Sequence, residues 1–182
     1  LTGRYIQLEM FPFSFREFLD IKKLDGSFES FKGYFYKGGF PEFLKKENSL
    51  ILHRLLSDII MKDIAVRFNI KNTNVLNKIA IFLISNVGKE FSYNSIKETF
   101  EIKSVQSVID YISFFEDAYL IFNVPRFSYS FKQQQVNRKK AYSIDNGFSN
   151  NNSASFSKDH GKMLENLVFL SLRRKFKDIF YF

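Results

Sequence analysis

The residues in this chain that can do chemistry include a dense group of cations in its second half. Positive side chains at this spacing attract the phosphates of a nucleic acid, and the net charge of +8 favours the same class of partner. A lysine-rich surface that contacts only water would explain the charge equally well. The residues of this group that we predict to contact DNA are Arg126, Lys132, Arg138, Lys139 and Lys140.

Residue sets for nucleophilic catalysis or thiolate metal binding are not evident in the sequence. The two histidines, His53 and His160, lie more than 100 residues apart, and His53 falls on a predicted packing helix. The chain has no cysteine, which excludes disulfides and thiolate metal sites and is typical of a cytoplasmic protein. No apolar run approaches the roughly 20 residues of a transmembrane helix, so we expect no membrane partner.

The cations lie in a segment whose pattern predicts a winged helix, which consists of three short helices followed by a two-stranded ribbon. Apolar residues recur at helical spacing over 75–87, and Ser92 and Ser104 can each cap a further helix. β-type residues at 119–124 and 141–144 enclose the basic loop. A module of this kind binds DNA with its third helix in the major groove.

The start of that third helix offers four candidate DNA contacts, which are Lys103, Ser104, Gln106 and Ser107. Gln106 can read adenine and the serines can touch phosphate, but no arginine is present to read guanine, and Asp110 repels the DNA backbone. We therefore expect most of the affinity to come from the basic loop, and to be salt-dependent and largely non-specific.

The rest of the chain is predicted to be mainly helical. One helix begins near Ser14, and three others span 28–36, 49–68 and 160–176. The Asn- and Ser-rich stretch 146–157 predicts a loop or linker. Short strands at 5–10 and 179–182 have no predicted partner, so each is expected either to belong to a sheet whose other strands lie outside this chain or to find an improvised partner within it. The fold class is mainly α with small β: a winged helix-turn-helix core preceded by a helical segment, with orphan strands at both termini.

Five groups of short motifs, in order along the chain, resemble those of a family of prokaryotic AAA-type ATPases. They are Leu-Thr-Gly-Arg-Tyr-Ile at 1–6 with Phe-Pro-Phe-Ser-Phe at 11–15, Gly-Gly-Phe-Pro-Glu at 38–42, Met-Lys-Asp-Ile at 61–64, Tyr-Ser-Ile-Asp-Asn-Gly at 142–147, and Gly-Lys-Met-Leu-Glu-Asn-Leu-Val-Phe at 161–169. Members of that family join an ATPase core to a C-terminal domain of unknown function with winged-helix and restriction-nuclease-like parts.

The resemblance implies a division of the chain into four parts. Residues 1–20 would end the ATPase core, 21–74 would form a helical linker segment, 75–148 the winged-helix domain, and 149–182 a linker and the start of a truncated restriction-nuclease-like domain. ATP and Mg²⁺ are then expected for the parent protein, and self-association through its ATPase core. No cofactor is expected for this chain, because it has no phosphate-binding Gly-rich loop.

Two further candidate residues follow from the resemblance. Arg4 lies where AAA-type proteins often place an arginine finger that reaches the nucleotide of a neighbouring subunit. Glu165 resembles the acid on the first helix of restriction-nuclease-like folds, which helps to bind a divalent ion, but one carboxylate cannot complete such a site. An ordinary structural or surface role is the alternative for both residues.

These observations predict a C-terminal fragment of an AAA-type ATP-binding protein. Its winged helix would couple the nucleotide state of the ATPase core to DNA. One alternative is a domain for protein-protein interaction or oligomerisation that binds no DNA. A second is a nuclease-related effector whose active site lies outside this chain.

Overall fold

The computed structural model describes residues 8–154 and 159–182, so Arg4 and the first part of the predicted N-terminal strand lie outside the described residues. Helices α1 to α4 span Phe15–Lys22, Phe28–Lys37, Pro41–Lys46 and Leu50–Asp58, and a π-helical segment, Ile59–Val66, continues α4. The middle of the chain contains α5 at Thr73–Ser85, β1 at Glu90–Phe91, α6 at Tyr93–Thr99, α7 at Val105–Asp117, β2 at Ile121–Pro125, α8 at Phe131–Val136 and β3 at Lys139–Ser143. Helices α9 at Asn146–Asn152 and α10 at His160–Arg173 follow.

Serine side chains begin three of the predicted helices. Ser14 and Glu17 form a capping box, in which the Ser14 N–H donates to the Glu17 carboxylate at 2.7 Å. Ser92 caps α6 and Ser104 caps α7, and each hydroxyl accepts the backbone N–H three residues later. The predicted starts of these helices are confirmed.

The three strands form one antiparallel sheet in the order β1-β3-β2, with β3 in the centre. The ribbon of β2 and β3 pairs Ile121 with Ser143 at one end and Pro125 with Lys139 at the other. Strand β1 was not predicted, because two residues are too few to show alternation. The chain is mainly helical with a small sheet, as the sequence predicted.

The two terminal strands are largely absent from the described residues. Residues 8–10 have no regular structure, and Glu9 instead forms a two-pronged ion pair with Arg173 at 2.8 and 3.0 Å. At the other end, a single parallel bridge joins Tyr181 to Arg126 beside β2. The N–H of Phe127 donates to the Tyr181 carbonyl at 2.7 Å, so the existing sheet supplies the partner that the sequence did not reveal.

The prediction of a loop or linker at 146–157 is wrong for its first half, where α9 forms. Asp145 caps this helix by accepting the Phe148 N–H at 2.9 Å. Asn152 is buried at its end, where Nδ2 donates to the Leu52 carbonyl at 3.2 Å. The asparagines of α9 thus satisfy buried backbone groups rather than face water.

The main hydrophobic core joins α4, α5, α7 and the sheet, and α9 packs against both α4 and α5. Phe115 and Phe148 are the largest fully buried side chains of the described residues. Because Phe148 belongs to α9, the helix beyond the ribbon is part of the same core. Among the described residues, no helix has the length and apolar character needed to cross a membrane.

Candidate nucleic-acid interface

Tyr181 contacts both Arg126 and Arg138 at the end of the ribbon where the connection between β2 and β3 begins and ends. Tyr181 bridges to Arg126, and its hydroxyl donates to the Arg138 carbonyl at 2.9 Å. The Arg138 side chain is 70% exposed, and its Nη1 lies 3.8 Å from Glu90 Oε2. An exposed ion pair of this length contributes little free energy, so it does not prevent the guanidinium from binding a phosphate.

We call residues 126–138, which connect β2 to β3, the wing. It contains α8, on which Lys132 is exposed. The chain has no aspartate or glutamate from 118 to 144. Three exposed cations, Arg126, Lys132 and Arg138, therefore lie on a segment with no acid of its own.

Lys139 was predicted as a DNA contact, but the structure buries it. It is 5% exposed, and its Nζ donates to the carbonyls of Gln134, Gln135 and Asn137 at 3.0, 2.9 and 3.4 Å. The ammonium also lies 5.2 Å from the ring centroid of Tyr93. Burial lowers the pKa of Lys139, although the Glu116 carboxyl partly opposes this. Lys139 thus holds the end of the wing in place and does not present its charge to a ligand.

Lys140 was also predicted as a DNA contact, but it pairs with the candidate metal ligand Glu165. The Lys140 Nζ lies 2.8 Å from Glu165 Oε1, and the Tyr142 hydroxyl donates to the same oxygen at 2.8 Å. Lys162 binds the other carboxylate oxygen at 3.0 Å. Burial raises the pKa of Glu165, but hydrogen bonds from these three side chains outweigh it and hold the pKa below its usual value. No group of three acidic, histidine or cysteine side chains in the described ranges could hold a metal ion.

The predicted contacts at the start of α7 are engaged within their own turn, apart from Lys103, which is exposed. Ser104 caps the helix and its hydroxyl lies 2.9 Å from that of Ser107. Gln106 donates to Asp110 at 2.8 Å. Reading adenine would require Gln106 to leave this hydrogen bond, so α7 is poorly prepared for base-specific contact.

Sequence reasoning missed the aromatic residues of the wing. Tyr129 is 99% exposed and Phe131 is 75% exposed. The signal was present in the stretch Arg-Phe-Ser-Tyr-Ser-Phe-Lys at 126–132, where aromatic residues alternate with small polar ones between two cations.

A polar cluster joins β2 to α7. Glu116, near the end of α7, accepts the Asn123 N–H at 2.9 Å, and Asn123 Nδ2 donates to the Tyr93 hydroxyl at 3.1 Å. Burial raises the pKa of Glu116 to about 7, against hydrogen bonds from Asn123 and the charge of Lys139. The buried Oδ1 of Asn123 has no hydrogen-bond partner among the described residues.

Two of the sequence motifs meet at Asp145, which is buried. Its Oδ2 accepts the Gly39 N–H at 2.7 Å, and its Oδ1 caps α9. A Cβ at Gly38, whose φ is +69°, would collide with the Asp145 carboxylate. Burial raises the pKa of Asp145 to about 6, although three backbone amides, including that of Gly39, lower it. This carboxylate joins two loops and has no access to a ligand.

A third motif completes the same buried cluster. Asn166 on α10 accepts the Ser143 N–H at 2.9 Å, and its Nδ2 donates to the Ser143 carbonyl and to Asn146 Oδ1. Asn146 Nδ2 in turn donates to the carbonyls of Met163 and Phe35. Three of the motifs that resemble the AAA-type family therefore form one structural centre, separate from the cations of the wing.

An open groove of about 960 Å³ lies between α3 and α4, away from the wing. Its walls are mostly apolar and include Phe40, Leu50 and Leu55, with Glu42 and Asp58 at the edges. Its lining also includes Lys46 and Arg54, which balance these two acids, so the groove is a less suitable surface for a polyanion than the wing.

The fold and the wing define a small, mainly helical domain with a basic β-ribbon. The chain belongs to the family described as a domain of unknown function, DUF8612, whose profile matches residues 28–159. It is similar to an uncharacterised protein of Methanocaldococcus jannaschii, with 36% identity over 96% of this chain and 43% of that protein. It is also similar to an uncharacterised protein of Haemophilus influenzae, with 28% identity over 96% of this chain and 46% of that protein. The chain thus spans less than half the length of either relative, and no solved structure matches it.

Proposed function

We propose that the segment from α5 to β3 is a winged helix and that it binds double-stranded DNA through the wing. Three helices are followed by a ribbon, and the short β1 between the first two helices pairs with β3. This order of elements is that of a winged helix. The contact of α7, the third helix, with β2 of the ribbon also supports the assignment.

The observation that carries the proposal is the exposure of three cations on a wing without acids. Arg126 and Arg138 are both in contact with Tyr181, and Lys132 lies between them in the sequence. Guanidinium groups suit phosphate because they can donate two parallel hydrogen bonds. Lys103, which lies just before α7 and is exposed, adds a further contact to the sugar-phosphate backbone.

Binding of this kind is electrostatic and largely independent of sequence. Each phosphate that a cation neutralises releases condensed counterions, so the affinity falls steeply as salt rises. The hydrogen bond between Gln106 and Asp110 leaves few groups to read bases. The domain would therefore hold DNA without selecting a site.

In the longer relatives, we propose that this domain transmits the nucleotide state of an AAA-type ATPase core to the bound DNA. The support is the resemblance of the motifs and the length of the relatives, which is more than twice the part matched here. The core would supply ATP and Mg²⁺ binding, self-association, and the arginine-finger role proposed for Arg4. ATP hydrolysis by the full-length archaeal relative, measured with and without duplex DNA, tests this coupling. A rate that DNA does not change would contradict it.

The DNA proposal is tested by binding of a fluorescent blunt duplex at low salt. The variant R126A/K132A/R138A removes the three wing cations and is expected to weaken binding by at least about tenfold. The matched control K32A/K45A/K71A removes the same charge from exposed lysines outside the winged-helix segment. It is expected to change the affinity by less than about threefold, because only a general loss of charge remains.

Equal weakening by the two triple variants would mean that net charge, and not the wing, attracts DNA. If the wild-type chain binds no duplex at low salt, the DNA proposal is wrong. The alternative of a protein-protein interaction domain would then be favoured, with the groove between α3 and α4 as its candidate surface.

A further inference from the structure

The tip of the wing exposes two aromatic rings that contribute little to the folded state. Tyr129 and Phe131 are separated by one residue, and neither belongs to the hydrophobic core. Single exposed apolar residues are common on proteins, but two rings this exposed within three residues of one basic connection favour a partner. The chemistry around the rings indicates which partner.

Aromatic packing and a side-chain hydrogen bond hold the Tyr129 part of the wing in place. Phe127 contacts Tyr129 edge to face, with 5.1 Å between ring centroids. On its other side Phe127 packs against Phe180 and Phe182 at 5.9 and 5.2 Å. Ser128 stabilises the turn by donating to Gln133 at 2.9 Å. Less conformational entropy is therefore lost when a ligand binds to Tyr129.

The surroundings of the rings are cationic. Arg126 and Lys132 bracket them in the sequence, and Arg126 and Arg138 directly adjoin the last pair of the ribbon, Pro125 with Lys139. Aromatic faces that stack with bases, next to cations that follow the phosphates, are the combination that binds single-stranded nucleic acid. In a duplex the base faces are already stacked on each other, so rings of this kind find no free surface there.

We infer that Tyr129 and Phe131 form a stacking platform for unpaired nucleotides, so that the wing binds single-stranded DNA, including the single-stranded part of a fork or overhang. The inference rests on the proposed function, because the same three cations hold the phosphates. It adds single-stranded DNA as a ligand, which phosphate contacts alone cannot distinguish from a duplex.

The test uses the absence of tryptophan from the chain. Y129W places the only tryptophan of the chain in the wing and keeps an aromatic face, and excitation near the red edge of the indole band avoids the remaining tyrosines. Addition of oligo(dT) is expected to quench its emission, because stacking on a base quenches indole. F28W, which puts tryptophan at an exposed position on α2, is the matched control and should show no change. An abasic oligonucleotide of equal length, with the same phosphates and no bases, should leave the emission of Y129W unchanged.

A second variant measures the contribution to affinity. Y129A/F131A is expected to weaken oligo(dT) binding by about tenfold or more, because each stacked base contributes about 1–3 kcal/mol. Its affinity for a blunt duplex should change by less than about twofold. The control F28A/L50A removes two other exposed apolar side chains and should leave both affinities unchanged.

The outcomes separate this inference from the proposed function. Binding of oligo(dT) to Y129W without quenching, or equal quenching by the abasic strand, would overturn the stacking platform. Equal loss of duplex and oligo(dT) affinity in Y129A/F131A would also overturn it, since the rings would then only support the wing. If the wild-type chain binds duplex but not oligo(dT), the platform is wrong while the duplex proposal stands. If it binds neither, both are wrong.

Discussion

The ammonium group of Lys140 on β3 lies 2.8 Å from the carboxylate of Glu165 on α10. The pair connects the ribbon to the last helix. Gly88 lies close to the same carboxylate, since a Cβ placed on Gly88 would be 3.0 Å from the Glu165 carboxyl carbon. Lys140 was expected to bind phosphate and Glu165 to bind a metal ion. In the structure each satisfies the charge of the other, so both residues stabilise the fold.

The E165Q variant tests this structural role. Glutamine keeps the shape but removes the negative charge, so the partly buried Lys140 and Lys162 lose their counter-ion. We expect the free energy of unfolding to fall by about 1–2 kcal/mol, measured by urea denaturation. E98Q, on the exposed face of α6, is the control and should be neutral. If E165Q matches E98Q in stability, the ion pair does not stabilise the fold.

The close approach of α9 to the end of α2 predicts that G147A is severely destabilising. A Cβ on Gly147 would collide with the Lys37 carbonyl, which is backbone and cannot move independently. We expect a loss of more than about 2 kcal/mol in chemical denaturation. Gly33 lies within α2, where the nearest atom to a new Cβ is 3.8 Å away. G33A should therefore stabilise the protein by about 0.5–1 kcal/mol. A G147A protein as stable as the wild type would contradict the packing of α9.

Glu116 predicts a pH dependence of stability. Burial raises its pKa in the folded state to about 7, so the folded chain keeps a proton that the unfolded chain releases near its ordinary value of 4.5. The stabilisation from this group is complete below the unfolded pKa and is lost as the pH rises through about 7. The groups that face Glu116 are Lys139, Tyr93, Asp117 and the amide of Asn123.

E116Q imitates the protonated carboxyl and isolates this effect. It should be more stable than the wild type by about 3 kcal/mol near pH 8 and equally stable near pH 4. Urea denaturation at both pH values measures the difference, and the other titrating groups cancel because both proteins contain them. A difference that is the same at both pH values would show that Glu116 does not titrate in this range.

Local signals made the helix starts predictable, and long-range contacts explain what was missed. Ser92 and Ser104 cap helices that their own neighbours specify, so the three-helix segment could be read from the sequence. Helix α9 could not, because its buried Asn152 needs the distant Leu52 carbonyl as an acceptor, in addition to the local cap in which Asp145 accepts the Phe148 N–H. A composition typical of loops was therefore misleading.

The candidate DNA contacts show that the exposure of single residues was also hard to predict from the sequence. Arg138 is exposed while its neighbour Lys139 is buried. Alternation along β3 held the signal, since Lys139 shares a face with Ala141 and Ser143, which are both buried. What the sequence could not show is that the backbone of the wing curls over Lys139 and supplies three carbonyl acceptors.

The salt dependence of duplex binding tests the central claim most directly, because the slope of log Kd against log salt counts the phosphates that the protein neutralises. We predict that R126A/K132A/R138A reduces the magnitude of this slope by about 2–3 relative to the wild type, one for each lost contact. The control K32A/K45A/K71A should keep the wild-type slope. Identical slopes for the wild type and the wing variant would show that Arg126, Lys132 and Arg138 do not contact DNA phosphates, and would contradict the account.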